Sequence, residues 1–74
     1  MKTLYWDFFG PNAEPMARHY LKHLDEFLVR NACIGCVTGS DALSPEHHAV
    51  YCRATDEFAA GIERTLKPKR VEPA

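Results

Sequence analysis

Ser44-Pro45-Glu46-His47-His48-Ala49-Val50-Tyr51-Cys52-Arg53-Ala54 is the stretch whose reading decides the fold. Pro45 followed by Glu46 makes a good helix start, and Tyr51, Ala54, Phe58 and Ile62 keep roughly helical spacing, so one reading runs a single helix from Pro45 to Leu66. That helix would leave the aromatic segment Thr3 to Phe9 with few strand partners. The competing reading takes His47 to Arg53 as a strand and begins a helix only at Thr55-Asp56-Glu57. It is preferred because it gives the aromatic segment a sheet to join.

Outward from that stretch, Thr3-Leu4-Tyr5-Trp6-Asp7-Phe8-Phe9 has strong strand preference and ends at the turn signal Gly10-Pro11-Asn12. Its even set, Leu4, Trp6 and Phe8, is wholly apolar and is expected to face the core, whereas Tyr5 and Asp7 face away. The period then changes. Ala17, Tyr20, Leu21, Leu24, Phe27 and Leu28 form one stripe of a helix, for which Asn12 is a candidate cap and Pro15 suits only the first turn. Cys33 to Thr38 is expected as the next strand and Gly39 to Pro45 as a loop. Phe58, Ala59, Ile62 and Leu66 give the second helix its apolar stripe, Pro68 ends it, and Lys69 to Glu72 suggests a short edge strand before a frayed tail.

The order β-α-β-β-α-(β) predicts an α+β, ferredoxin-like two-layer sandwich: two helices on one face of an antiparallel sheet, with the first and third strands adjacent. At 74 residues the chain holds one domain, residues 1–74, with its core over about 3–67. A formal charge of -1 and a single basic cluster, Lys67, Lys69 and Arg70, argue against a nucleic-acid partner. No apolar run is long enough for a bilayer, and Met1-Lys2-Thr3 does not open a signal segment, so the expectation is a soluble, cytoplasmic chain. Three cysteines, an odd number, suggest reduced thiols rather than a disulfide framework.

Cys33-Ile34-Gly35-Cys36 has the spacing of a zinc chelate or a redox pair, but it follows a helix C-terminus, where the dipole disfavours thiolate. Extended backbone would also turn residues three apart to opposite faces, so packing is the first reading. The alternative is a zinc or copper site built from Cys33, Cys36, Cys52 and one of His47 or His48. His19, His23 and Glu26 share one side of the first helix, a spacing that suits a divalent metal although it also fits an exposed polar face. Gly10-Pro11-Asn12 makes a weak phosphate cradle, since the proline removes an amide donor and Glu14 repels anions.

The sheet face turned away from the helices is the leading candidate for function. It displays Tyr5 and Asp7 beside Tyr51 and Arg53, residue types that favour interfaces, and a small domain gains by burying such a face against a twin. The sequence therefore suggests a non-enzymatic binding module, homodimeric through that face, with no assigned catalytic residue and no required cofactor. An enzyme using His48 or His23 as base is the least supported alternative.

Overall fold

The computed structural model describes residues 1–73. The chain runs β1 (Lys2–Phe9), α1 (Ala13–Arg30), β2 (Val37–Ser44), β3 (His47–Ala54), α2 (Asp56–Leu66) and β4 (Arg70–Pro73). His47–Ala54 is thus a strand, and the single-helix reading of residues 45–66 fails. β3 pairs along its whole length with β1 and from His47 to Arg53 with β2, and helical periodicity begins only after Thr55. The four strands form one antiparallel sheet in the order β2-β3-β1-β4.

One sheet face meets the helices. Leu4 and Trp6 of β1 and Val50 and Cys52 of β3 pack against Ala17, Leu24 and Leu28 of α1 and Ala59 and Ile62 of α2. Phe8 joins them half-buried, as the even-numbered face of β1 predicts. The Trp6 indole Nε1 donates to the Leu66 carbonyl at 3.1 Å and pins the end of α2 to the sheet. Tyr20 sits between Trp6 and Phe8, with ring centroids 5.4 and 5.5 Å away, and burial pushes its hydroxyl pKa up.

The strand expected at Cys33 to Thr38 lies instead at Val37–Ser44, so the expected loop over Gly39 to Pro45 is mostly strand. Helix termination accounts for the shift. Ala32 adopts φ 53°, its N–H donates to the Val29 carbonyl, and the Cys33 N–H reaches back to the Leu28 carbonyl at 2.9 Å. This is a Schellman stop, and it occupies the residues through Cys33. Gly35, at φ +83°, then completes the turn. The hairpin needs only Pro45 and Glu46 between β2 and β3, with a bulge between Ala42 and Ser44.

Asn12 and Thr55 flank the helix starts, but neither makes a side-chain cap hydrogen bond. The β1–α1 connection is held another way, by the Gly10 N–H donating to the Glu46 carbonyl at 2.9 Å. Gly61 has open space where a Cβ would stand, so no close packing demands a glycine there. The C-terminal strand is Arg70–Pro73, one residue beyond the expected Lys69 to Glu72. Ala74, the end of the expected frayed tail, lies outside the described residues. No described helix is long and apolar enough to cross a membrane.

Candidate functional site

The sheet face opposite the helices is built in cross-strand rows. Val37, Arg53, Thr3 and Glu72 make one; Gly39, Tyr51, Tyr5 and Arg70 the next; Asp41, Ala49 and Asp7 the third; and Ser44, His47 and Phe9 the last. Alternation along paired strands puts these odd-numbered residues of β1 and β3 on one side. The expected neighbours Tyr5 and Tyr51 are directly opposed. Asp7 is not beside Arg53: its row partner is Ala49, and Arg53 stands opposite Thr3.

Asp7 instead anchors a network of its own. Its side chain is only 10% exposed, although no helix covers this face. The Arg70 guanidinium donates two hydrogen bonds to the carboxylate, from Nε and Nη2, each 3.0 Å long. His47 Nε2 donates a third at 3.0 Å. Bidentate pairing of this kind fixes geometry as well as energy. The Arg70 bonds hold the Asp7 carboxyl below the usual aspartate value against the opposing pull of burial, and His47 adds to the lowering. In return, the Asp7 bond raises the Arg70 pKa.

The network also orders the aromatic rings. The Arg70 guanidinium carbon lies 4.4 Å above the Tyr5 ring centroid. His47 stacks on Phe9 with centroids 4.2 Å apart, and Phe9 is 65% exposed. The Tyr51 ring leans over Gly39, where any side chain would collide with it. Between these fixed groups Thr3, Tyr5, Val37, Asp41, Tyr51 and Arg53 line a shallow hollow of about 240 Å³. Arg53 and Asp41 flank it with opposite charges, and neither makes an ion pair among the described residues.

The cysteines gather at one end of the other face. Cys52 is fully buried on β3, and Cys33 and Cys36 pack half-buried against the same core. Burial, reinforced by the neighbouring thiols of Cys36 and Cys33, pushes the Cys52 pKa up to about 12. Burial also raises Cys36. Thiols so placed stay protonated and unreactive near neutrality. Because residues 33–36 form a turn rather than a strand, the expected separation of the two thiols to opposite faces does not apply.

His47 and His48 lie at the opposite end of β3. At 3.2–3.4 Å per residue they are roughly 13–17 Å along the strand from Cys52. The set proposed from sequence is therefore split, with three thiols at one end and two imidazoles at the other. Among the described residues no group of three or more His, Cys, Asp or Glu side chains is arranged to hold a metal ion. His48 is buried, on the floor of a hollow between the β1–α1 connection and the β2–β3 turn, lined by Pro11, Glu14, Pro15, Ala42, Ser44 and Pro45.

No protein-family model, curated protein or solved structure matches the chain. Its own geometry must carry the functional reading.

Sequence reasoning passed over Arg70, Phe9 and Asp41. Arg70 was in the predicted edge strand, and the rule that β4 lies beside β1 brings it near Tyr5 once the register is set. Asp41 was hidden by the assignment of its segment to a loop. Phe9 falls on the same odd-numbered face as Tyr5 and Asp7, so alternation alone was signal enough.

Proposed function

We propose that the protein is a small binding module that works as a homodimer, its two copies meeting through the uncovered face of a ferredoxin-like sandwich. The observation that carries this reading is the pair Arg53 and Asp41, opposite charges that form no ion pair among the described residues and lie on either side of the tyrosine hollow. A two-fold axis through that hollow sets each residue of the pair on one copy against the other residue on the second, the reciprocity an isologous interface requires.

Area and composition support the same partner. The molecule measures 35 × 24 Å in plan and 18 Å in thickness. Its broad face is therefore on the order of the ~800 Å² that each partner contributes to a standard interface. Tyr5, Tyr51 and Arg70 are residue types that dominate binding energy, and the Asp7 network holds two of them still before any partner arrives. The strand order β2-β3-β1-β4 with one helix after β1 and one after β3 supports the ferredoxin-like assignment.

The test is sedimentation equilibrium of the untagged protein at concentrations into the high micromolar range. The wild type is expected to dimerise, Arg53→Asp to weaken the dimer at least tenfold, and Arg53→Asp with Asp41→Arg to recover most of the loss. A strictly monomeric wild type sinks the proposal, and a double variant no better than the single one removes the Arg53–Asp41 contact from it.

A second reading, a zinc or copper protein using Cys33, Cys36 and Cys52, draws on the packing of the three thiols at one end of the core and requires them to rearrange, since among the described residues they are not arranged to hold an ion. Elemental analysis of untagged protein and of Cys36→Ser distinguishes it.

A further inference from the structure

On the outer side of α1, away from both the sheet face and the cysteines, three side chains form a connected chain. Glu26 Oε1 lies 3.1 Å from His23 Nδ1. The His23 Nε2 lies 3.1 Å from the Nε2 of His19, one turn earlier. The two imidazole planes are inclined at 77° with centroids 4.5 Å apart.

Proton assignment follows from the chemistry of the partners. The Glu26 carboxylate lies close to His23 Nδ1 without an aligned hydrogen bond, and a carboxylate at that side favours the tautomer with its hydrogen on Nδ1. In the neutral imidazole this leaves a lone pair on His23 Nε2, and the contact with His19 is made by the hydrogen on His19 Nε2. One exchangeable hydrogen thus occupies the gap between two nitrogen donors.

We propose that His19 and His23 chelate one borderline divalent transition-metal ion of the Ni²⁺, Cu²⁺ or Zn²⁺ class at this gap. Two nitrogens bound side by side to one ion at about 2.0–2.1 Å stand roughly 3 Å apart, which is the spacing already present. His19 carries its hydrogen on Nδ1 instead of Nε2, and both rings turn about their side-chain torsions so that the two Nε2 lone pairs converge on the ion beside the present contact, with no change of charge. Glu26 supplies the carboxylate behind a metal-bound histidine that fixes ring orientation and raises basicity. The backbone that carries the pair is the middle of an 18-residue helix whose opposite side is anchored by Ala17, Leu24 and Leu28, so the donors stand on a rigid element. Both imidazoles are exposed, and water completes the coordination. Imidazole donors select this class over Mg²⁺ and Ca²⁺, which take oxygen ligands.

Ni²⁺ is the probe of choice for the test, because free thiols reduce Cu²⁺. Isothermal titration of untagged protein with Ni²⁺, followed in parallel by absorption, is expected to show one ion per chain with no thiolate charge-transfer band, and Mg²⁺ is expected to give no heat. His19→Ala and His23→Ala should each weaken binding at least tenfold, and Glu26→Ala by about tenfold, the lower end for loss of such a partner. All three positions are on the exposed side of α1, and circular dichroism checks that each variant is folded. Unchanged affinity in the His19→Ala, His23→Ala double variant, or a thiolate band on Ni²⁺ addition, overturns the assignment.

Discussion

Asp7 takes its partners from 40 and 63 residues further along the chain, His47 and Arg70. Its charge is therefore useful only in the folded state. Because those bonds depress the carboxyl pKa, Asp7 contributes stability that is fully present above the unfolded aspartate value and is lost as pH falls through the lower folded one. Asp7→Asn is expected to cost about 1 kcal/mol near pH 5, within the range for hydrogen bonds to charged groups and reduced because Arg70 still reaches water. The gap between the melting curves of wild type and variant should close between about pH 5 and about pH 2. A gap that is constant over that range would mean that the carboxylate charge is not what the variant lost. The Tyr5–Tyr51 pairing was legible in the sequence, since period-2 alternation on two strands joined through a hairpin sheet puts both rings on one face. The Asp7–Arg70 pair was not, because it depends on the register of a four-residue strand entered through Pro68.

At the scale of elements, the helices announced themselves and β2 did not. The stripe from Ala17 to Leu28 has one period and one consistent reading, whereas Val37–Ser44 contains Gly39, Ser40, Asp41 and Ala42, all but one poor strand formers and the last weak. β2 exists because β3 offers it a ladder, and Gly39 fits because the Tyr51 ring needs the space a side chain would fill. Where β2 begins is set by how α1 ends. Ala32 carries φ 53° at the position in which glycine is the usual residue of a Schellman stop. Ala32→Gly is accordingly expected to stabilise the fold by up to about 1 kcal/mol, the left-handed strain removed being partly offset by the entropy of a more flexible unfolded chain. For a domain of this size that corresponds to a rise in melting temperature of up to about 4–8 °C, readable by calorimetry. A fall in melting temperature would show that Ala32 is unstrained and that the turn before β2 is shaped by other contacts.

For the whole molecule, one small core must hold four strands and two helices together. At about 0.05–0.15 kcal/mol per residue, a chain of this length has a stability of roughly 4–11 kcal/mol. The largest fully buried side chains are Leu4, Leu24, Ile62, Val50 and Cys52, so the core has few members to lose. The other sheet face meanwhile leaves Phe9 and Val37 more than half exposed around the tyrosines, apolar area that folding of one copy does not bury. If a second copy covers that face, association and folding are linked, and apparent stability must rise with protein concentration. The wild-type urea midpoint is expected to climb between about 1 and about 100 μM protein, a hundredfold change worth on the order of 2–3 kcal/mol per dimer. Arg53→Asp, an exposed change remote from the core, should flatten that dependence and lower the midpoint most at the highest concentration, where the wild type is most fully dimeric. A midpoint independent of concentration in the wild type would mean that the ordered Asp7 face stands alone, and that the module's partner is something other than itself.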